Sequence, residues 1–188
     1  HLRDQFQRNS LSKGYEKFED NDLIMISDID EIPDPKKIYS FEHKKKYACF
    51  LQKNFQSKLN LLNTSDGYWA GTKICKKKNL KSPQWLRDIK IKEVPFWKFY
   101  KPKQPQLIEN GGWHFTNIKT PEEIDKKLRS YMHHPEYDQS NIGPKEIDKM
   151  IKERKPVYDL MANSSEVKDR SNTKLKVIDI NELPLFIR

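Results

Sequence analysis

The chain has 188 residues, a net charge of +9 and 35% hydrophobic content. That is the length of one ordinary domain, residues 1–188, with a small but adequate supply of core side chains. No run reaches the roughly 20 apolar residues of a membrane span, and no signal-peptide pattern opens the chain, so neither a transmembrane segment nor a compartment can be read from it. The charge is uneven: residues 1–34 hold nine acids and four bases, and the remainder is strongly basic. An acidic N-terminal region facing a basic body suits a metal ion that bridges to an anionic ligand. Much of the lysine lies in two runs, Lys44–Lys46 and Lys76–Lys78. Such runs read as solvated surface rather than as a reader of bases, which ranks nucleic acid low among partners. Two cysteines, Cys49 and Cys75, make no disulfide framework and lack metal-ligand spacing; they read as buried free thiols.

In chain order, residues 2–19 predict a helix whose second half Gly14 weakens. Leu23 to Ile26 is a short apolar strand, predicted to be buried on both faces within a central sheet. It runs into Asp28, Asp30 and Glu31 before Pro33, which has no N–H for a ladder and is expected to end the strand. On an extended backbone Asp28 and Asp30 share a face, where a divalent cation would relieve their repulsion. Hard oxygen ligands at the carboxyl edge of a strand suit Mg²⁺ or Mn²⁺ held jointly with a substrate phosphate. Asp34-Pro35 starts a helix that is expected to reach the Lys44–Lys46 run.

Residues 47–62 predict two strand-like runs and residues 68–75 another. Residues 79–112 read as loop, with four prolines and the Gly111-Gly112 pair. Within them Gln84-Trp-Leu-Arg-Asp88 reads by itself as a surface ion pair behind a tryptophan, and Trp69 as a core residue. The two glycines allow a close backbone approach to a ligand and present His114 at the start of the aromatic strand Trp113–Thr116. Thr120-Pro-Glu-Glu123 is a capping box opening a helix to about Met132. His133, His134, Glu136 and Asp138 follow it near a helix end. Gly143-Pro144 starts a helix that ends before Pro156, and Leu175–Ile180 returns to strand character. Helices and strands alternate, which favours an α/β fold.

Five segments together resemble glycosyltransferase family 17, the group of β-1,4-mannosyl-glycoprotein N-acetylglucosaminyltransferases. They are Arg3-Asp-Gln-Phe-Gln-Arg-Asn9, Asp22-Leu-Ile-Met-Ile-Ser-Asp-Ile-Asp-Glu-Ile-Pro33, Gln84-Trp-Leu-Arg-Asp88, Gly112-Trp-His-Phe-Thr116 and Lys127-Leu-Arg-Ser-Tyr-Met-His-His-Pro-Glu-Tyr-Asp138. The resemblance implies a GT-A-like mixed sheet flanked by helices, and metal-dependent, inverting transfer of a sugar from a nucleotide donor such as UDP-GlcNAc to a glycan acceptor. It implies that Asp28 and Asp30 match the D-x-D element that holds Mn²⁺ or Mg²⁺. His114 is the first candidate for a further ligand and His134 the second. Glu136 and Asp88 are the candidate bases for the acceptor hydroxyl, and Glu31, Trp69, Arg87, Trp113 and His134 the candidate substrate contacts. A GT-A domain carries a nucleotide-binding β/α half before its D-x-D, whereas 27 residues precede Asp28 here. The expectation is a domain incomplete at its N-terminus, with exposed apolar surface flanking Leu23–Ile26.

Two other classes compete. A strand ending in D-x-D also occurs in haloacid-dehalogenase-type phosphatases, but Ile32 stands where those carry Thr or Val and no later strand carries paired acids. A non-catalytic basic module that binds carbohydrate or nucleic acid is the other.

Overall fold

The computed structural model describes residues 2–65, 67–91, 104–130, 142–157 and 174–187. They form a mixed α/β protein with a mixed sheet and helices. The chain divides into two compact units, His1–Gln52 with Tyr68–His114, and Lys53–Gly67 with Phe115–Arg188.

In the first unit, helix α1 spans Leu2–Ser10 and gives way to a 3₁₀ turn over Leu11–Gly14. The helix expected to residue 19 therefore stops before Gly14, as the cost of glycine in a helix interior requires. Strand β1 is Leu23–Ile26, as expected. Among the described residues it does not lie between two neighbours, however. It pairs antiparallel with β5, Trp69–Lys76, at one end of the strand order. Its side chains alternate accordingly. Ile24 and Ile26 are buried with Tyr47, Cys75, Leu86 and Ile89, and Leu23 is exposed. Exposed Phe18 and Ile29 also flank the strand. Strand β2, Glu31–Pro33, was not expected. Pro33 is its last residue, and the strand pairs antiparallel with β7, Gly112–Thr116. A proline is tolerated there because the ladder ends with it.

Helix α2 is Pro35–Ile38, capped by Asp34, whose side chain accepts from Lys36 N at 3.0 Å. The expected continuation to the lysine run fails because Phe41 turns inward. It is buried with Ala48, Phe50, Ile74 and Ile108, and burying a side chain of that size outweighs one more helical turn. Strand β3, Tyr47–Gln56, pairs antiparallel with β5 and parallel with β6, Gln106–Ile108. Helix α3, Pro83–Asp88, lies within the stretch expected to be loop. Ser82 caps it by accepting from Trp85 N at 3.1 Å, and Pro83 occupies its first turn.

The glycines of Gly111-Gly112 serve the fold rather than a ligand. A Cβ on Gly111 would lie 2.8 Å from Phe50 Cβ, and one on Gly112 would lie 2.2 Å from Ile32 O. Gly112 also has φ +130°, a conformation side chains oppose. Both cysteines are free and buried, as expected. Burial raises the Cys49 thiol to about 11 and the Cys75 thiol to about 12, so neither is a thiolate near neutral pH.

The β1–β5–β3 register sorts the charge. Leu23 lies opposite Lys76 and Tyr47 opposite Cys75. Lys44–Lys46 and Lys76–Lys78 therefore meet at one end of these strands, and Asn79 Nδ2 donates to Lys46 O across the gap. The acids follow β1 at the other end. The lysine runs, then, do not face the acids.

In the second unit, Asn54 and Phe55 of β3 pair with β4, Leu61–Asn63, which pairs with β8, Lys176–Val177. The strand expected over Leu175–Ile180 is shorter because Asp179 caps a 3₁₀ turn from Ile180. Helices α4, Pro121–Ser130, and α5, Pro144–Lys152, bury Ile124, Leu128, Ile147 and Ile151 together with Val157. The capping box is formed: Thr120 N donates to Glu123 Oε2 at 3.0 Å, and Glu123 N donates to Thr120 Oγ1 at 3.3 Å.

Candidate functional site

All site residues described here belong to the first unit. Beyond β1 the chain turns, with Glu31 N donating to Asp28 O at 3.0 Å. Asp28 and Asp30 therefore sit on a turn, not on an extended strand, and their side chains take different partners. Ser27 Oγ lies 2.7 Å from Thr72 Oγ1 and ties the strand end to β5.

Glu31 is the anchor. In the β2–β7 register it lies opposite His114, so the two side chains share a face. Its carboxylate has no solvent exposure and collects several donors. Arg87 of α3 makes a fork to it, Nη1 to Oε2 at 2.9 Å and Nη2 to Oε1 at 2.8 Å. Trp69 Nε1 donates to Oε1 at 2.9 Å, and Asp28 N donates to Oε2 at 3.1 Å. A bidentate guanidinium and further donors satisfy the oxygens of a carboxylate that burial takes out of water. Arg87 also donates to Gly71 O at 2.8 Å and to Asp28 Oδ2 at 2.9 Å, and its side chain is only 9% exposed. Glu31 and Asp28 together hold its guanidinium above the ordinary arginine range, against the effect of burial. Arg87 therefore forms a buried clasp with Glu31 and Asp28 in place of the surface pair expected with Asp88.

Asp30 and His114 form the open side. His114 Nε2 lies 3.5 Å from Asp30 Oδ2; the imidazole is nearly buried and the carboxylate about a third exposed. The Trp69 indole stacks on the imidazole, 4.2 Å between centroids and 6° from parallel. Trp69 is therefore not a plain core residue. One edge of its ring serves Glu31 and one face fixes His114.

Of the remaining expected residues, Asp88 is exposed and accepts from Gln84 Nε2 at 2.9 Å. Trp113 is half-buried opposite Ile32 on β2. Glu136 and His134 lie outside the described residues.

Three residues were missed. Arg8 of α1 donates to both Asp28 oxygens at 3.3 Å. Gln84 accepts from Arg8 Nη1 at 3.2 Å, and its own N–H is held by Asn9 Oδ1 at 3.2 Å. Lys73 is buried in β5 and donates to Ile89 O at 2.7 Å and to Arg87 O. It thereby satisfies carbonyls at the C-terminal end of α3, which carries Arg87. Burial lowers its ammonium to about 8. A lysine inside an apolar run such as Thr72-Lys-Ile-Cys75 was the available signal for it.

Among the described residues no three His, Cys, Asp or Glu side chains gather as a ready metal site, and no helix is long and apolar enough to cross a membrane. Comparison of the chain with protein-family models, curated proteins and solved structures finds no match.

Proposed function

We propose that this chain is a metal-dependent glycosyltransferase built on a GT-A-like domain. In this reading it moves a sugar, N-acetylglucosamine by the family resemblance, from a nucleotide donor to a glycan acceptor with inversion. One observation carries the reading. Asp30 and His114 come from separate elements and converge within 3.5 Å beside a buried, arginine-locked carboxylate.

Two protein donors alone do not make a resident metal site. They fit a cation that is completed by substrate phosphates, the usual habit of Mg²⁺ and Mn²⁺ in phosphate chemistry. The mixed imidazole and carboxylate set favours Mn²⁺. The bound cation would supply charge to the departing diphosphate. Asp30 and His114 would hold it, while Asp28 pairs with Arg87 and Arg8. Trp69 fixes the imidazole plane. The Arg87–Glu31 clasp keeps the turn from collapsing and excludes water behind it. Asp88, exposed next to Arg8 through Gln84, is the base candidate within the described residues, and Glu136 is the other. Trp113 is the candidate platform for a sugar face.

The test is calorimetric titration of UDP with and without Mn²⁺, paired with UDP release from a panel of UDP-sugars. Mn²⁺-dependent binding that Asp30→Ala and His114→Ala each weaken at least about tenfold is the expected result. Absence of Mn²⁺-dependent binding in the unaltered chain would remove the metal reading. Carbohydrate or nucleic-acid binding without turnover would favour the binding module, and phosphate release from a simple phosphoester the phosphatase.

A further inference from the structure

The acids after β1 meet two guanidiniums that are held in very different ways. Arg87 is spent: it is 9% exposed, forked to Glu31 and bonded to Asp28 and Gly71 O. Arg8 is not. Its side chain is 32% exposed and reaches Asp28 with one nitrogen at 3.3 Å from each oxygen. That is a long contact to a carboxylate about a third exposed, the kind worth about 0–1 kcal/mol. Asp28 retains Arg87 at 2.9 Å if Arg8 leaves. Arg8 is nevertheless well placed. Gln84 accepts from its Nη1, and Gln84 is itself held by Asn9 Oδ1 and by Asp88. A guanidinium has five N–H donors in a fixed fork, so these contacts leave donors for a ligand. The lysine runs lie at the other end of the strands and cannot serve here.

On the glycosyltransferase reading, we infer that Arg8 is a diphosphate-binding residue that exchanges its pair with Asp28 for the phosphate oxygens of the donor. The exchange is nearly neutral for the protein. It gives up a weak, screened ion pair and gains charge-assisted hydrogen bonds to phosphate. It leaves Asp28 paired with Arg87 alone, so no charge in the site is stranded when the anion arrives.

The experiment is titration calorimetry with inorganic pyrophosphate, in EDTA and in Mn²⁺, on the unaltered chain, Arg8→Ala, Arg8→Lys, Asp28→Asn and Asp30→Ala. Circular dichroism first establishes that each variant is folded. Arg8→Ala should weaken pyrophosphate binding roughly ten- to a hundredfold in both buffers, the loss of one or two charge-assisted bonds. Arg8→Lys should recover part of it, since it keeps the charge without the fork. Asp28→Asn should tighten binding severalfold in EDTA, because Arg8 no longer has a competing carboxylate; a merely structural Arg8 gives no such gain. Unchanged binding in Arg8→Ala overturns the inference and leaves the glycosyltransferase reading standing. Binding that depends on Arg8 but not on Mn²⁺ or Asp30 supports the anion site and removes the metal reading. No pyrophosphate binding by the unaltered chain overturns both.

Discussion

Arg87→Met is the substitution that most directly separates a buried clasp from a surface ion pair. It leaves the Glu31 carboxylate at zero exposure, with the Trp69 indole and the Asp28 amide as its remaining donors. Breaking a buried pair by removing one partner costs about 3–5 kcal/mol, whereas an exposed pair costs about 0–1 kcal/mol. Against a total domain stability of about 5–15 kcal/mol, the larger figure moves a urea midpoint visibly. The complement is Glu31→Gln, which strands the guanidinium with Asp28 as its one charged partner. In the double variant neither charge is left uncompensated, so its cost should fall short of the sum by about 1–3 kcal/mol. Urea denaturation followed by far-UV circular dichroism on the four proteins measures this directly. A loss under about 1 kcal/mol in Arg87→Met, or strict additivity, would refute the reasoning.

Three further outcomes follow from the same unit. Lys73 has a folded-state pKa lowered from 10.5 to about 8. A depressed pKa contributes stability that is fully present above the unfolded value and lost as pH falls through the folded one. The unaltered chain should therefore gain stability relative to Lys73→Met between pH 8 and 10.5, by on the order of 3 kcal/mol. Urea titrations across that window that run parallel would contradict it. Gly112→Ala, at φ +130° and with its Cβ on Ile32 O, should lose at least about 2 kcal/mol by thermal or urea melting. Gly14→Ala, which meets nothing within 4 Å, should change stability by less than about 1 kcal/mol.

The fold was legible where local physics decides it. Leu23–Ile26 declared itself by four apolar residues followed by acids, Thr120–Glu123 by its reciprocal cap, and Gly143-Pro144 by its helix start. Legibility failed where a distant contact overrode the local signal. Phe41 ended α2 because a core cluster from three strands was waiting for it. β1 was expected to be flanked on both sides, yet its alternating burial belongs to an antiparallel end strand. Leu23-Ile-Met-Ile26 shows no alternation in sequence, because four apolar residues hide a period of two.

The site divides in the same way, and the division bears on how its chemistry is to be judged. Residue types pointed to Asp28 and Asp30, the family resemblance added Glu31, Trp69, Arg87 and His114, and these six do come together in one unit. Their roles did not follow from spacing. D-x-D on an extended strand would put both carboxylates on one ion. The turn closed by Glu31 N instead sends Asp28 to arginine and Asp30 to histidine. The cations beside the acids were not singled out, because net charge is a sum and does not say which side chain goes where. The lysine runs read as solvated surface, and antiparallel register does carry them to the far end of the strands. The charge that meets the acids comes from two single arginines on helices α1 and α3. One is locked by a buried acid and sets geometry; the other is half-exposed and can change partners. A site that keeps a partly exposed, loosely paired guanidinium next to a carboxylate suits an anion that arrives with its own cation. That arrangement, more than the D-x-D spacing, is the physical reason to look for a diphosphate here.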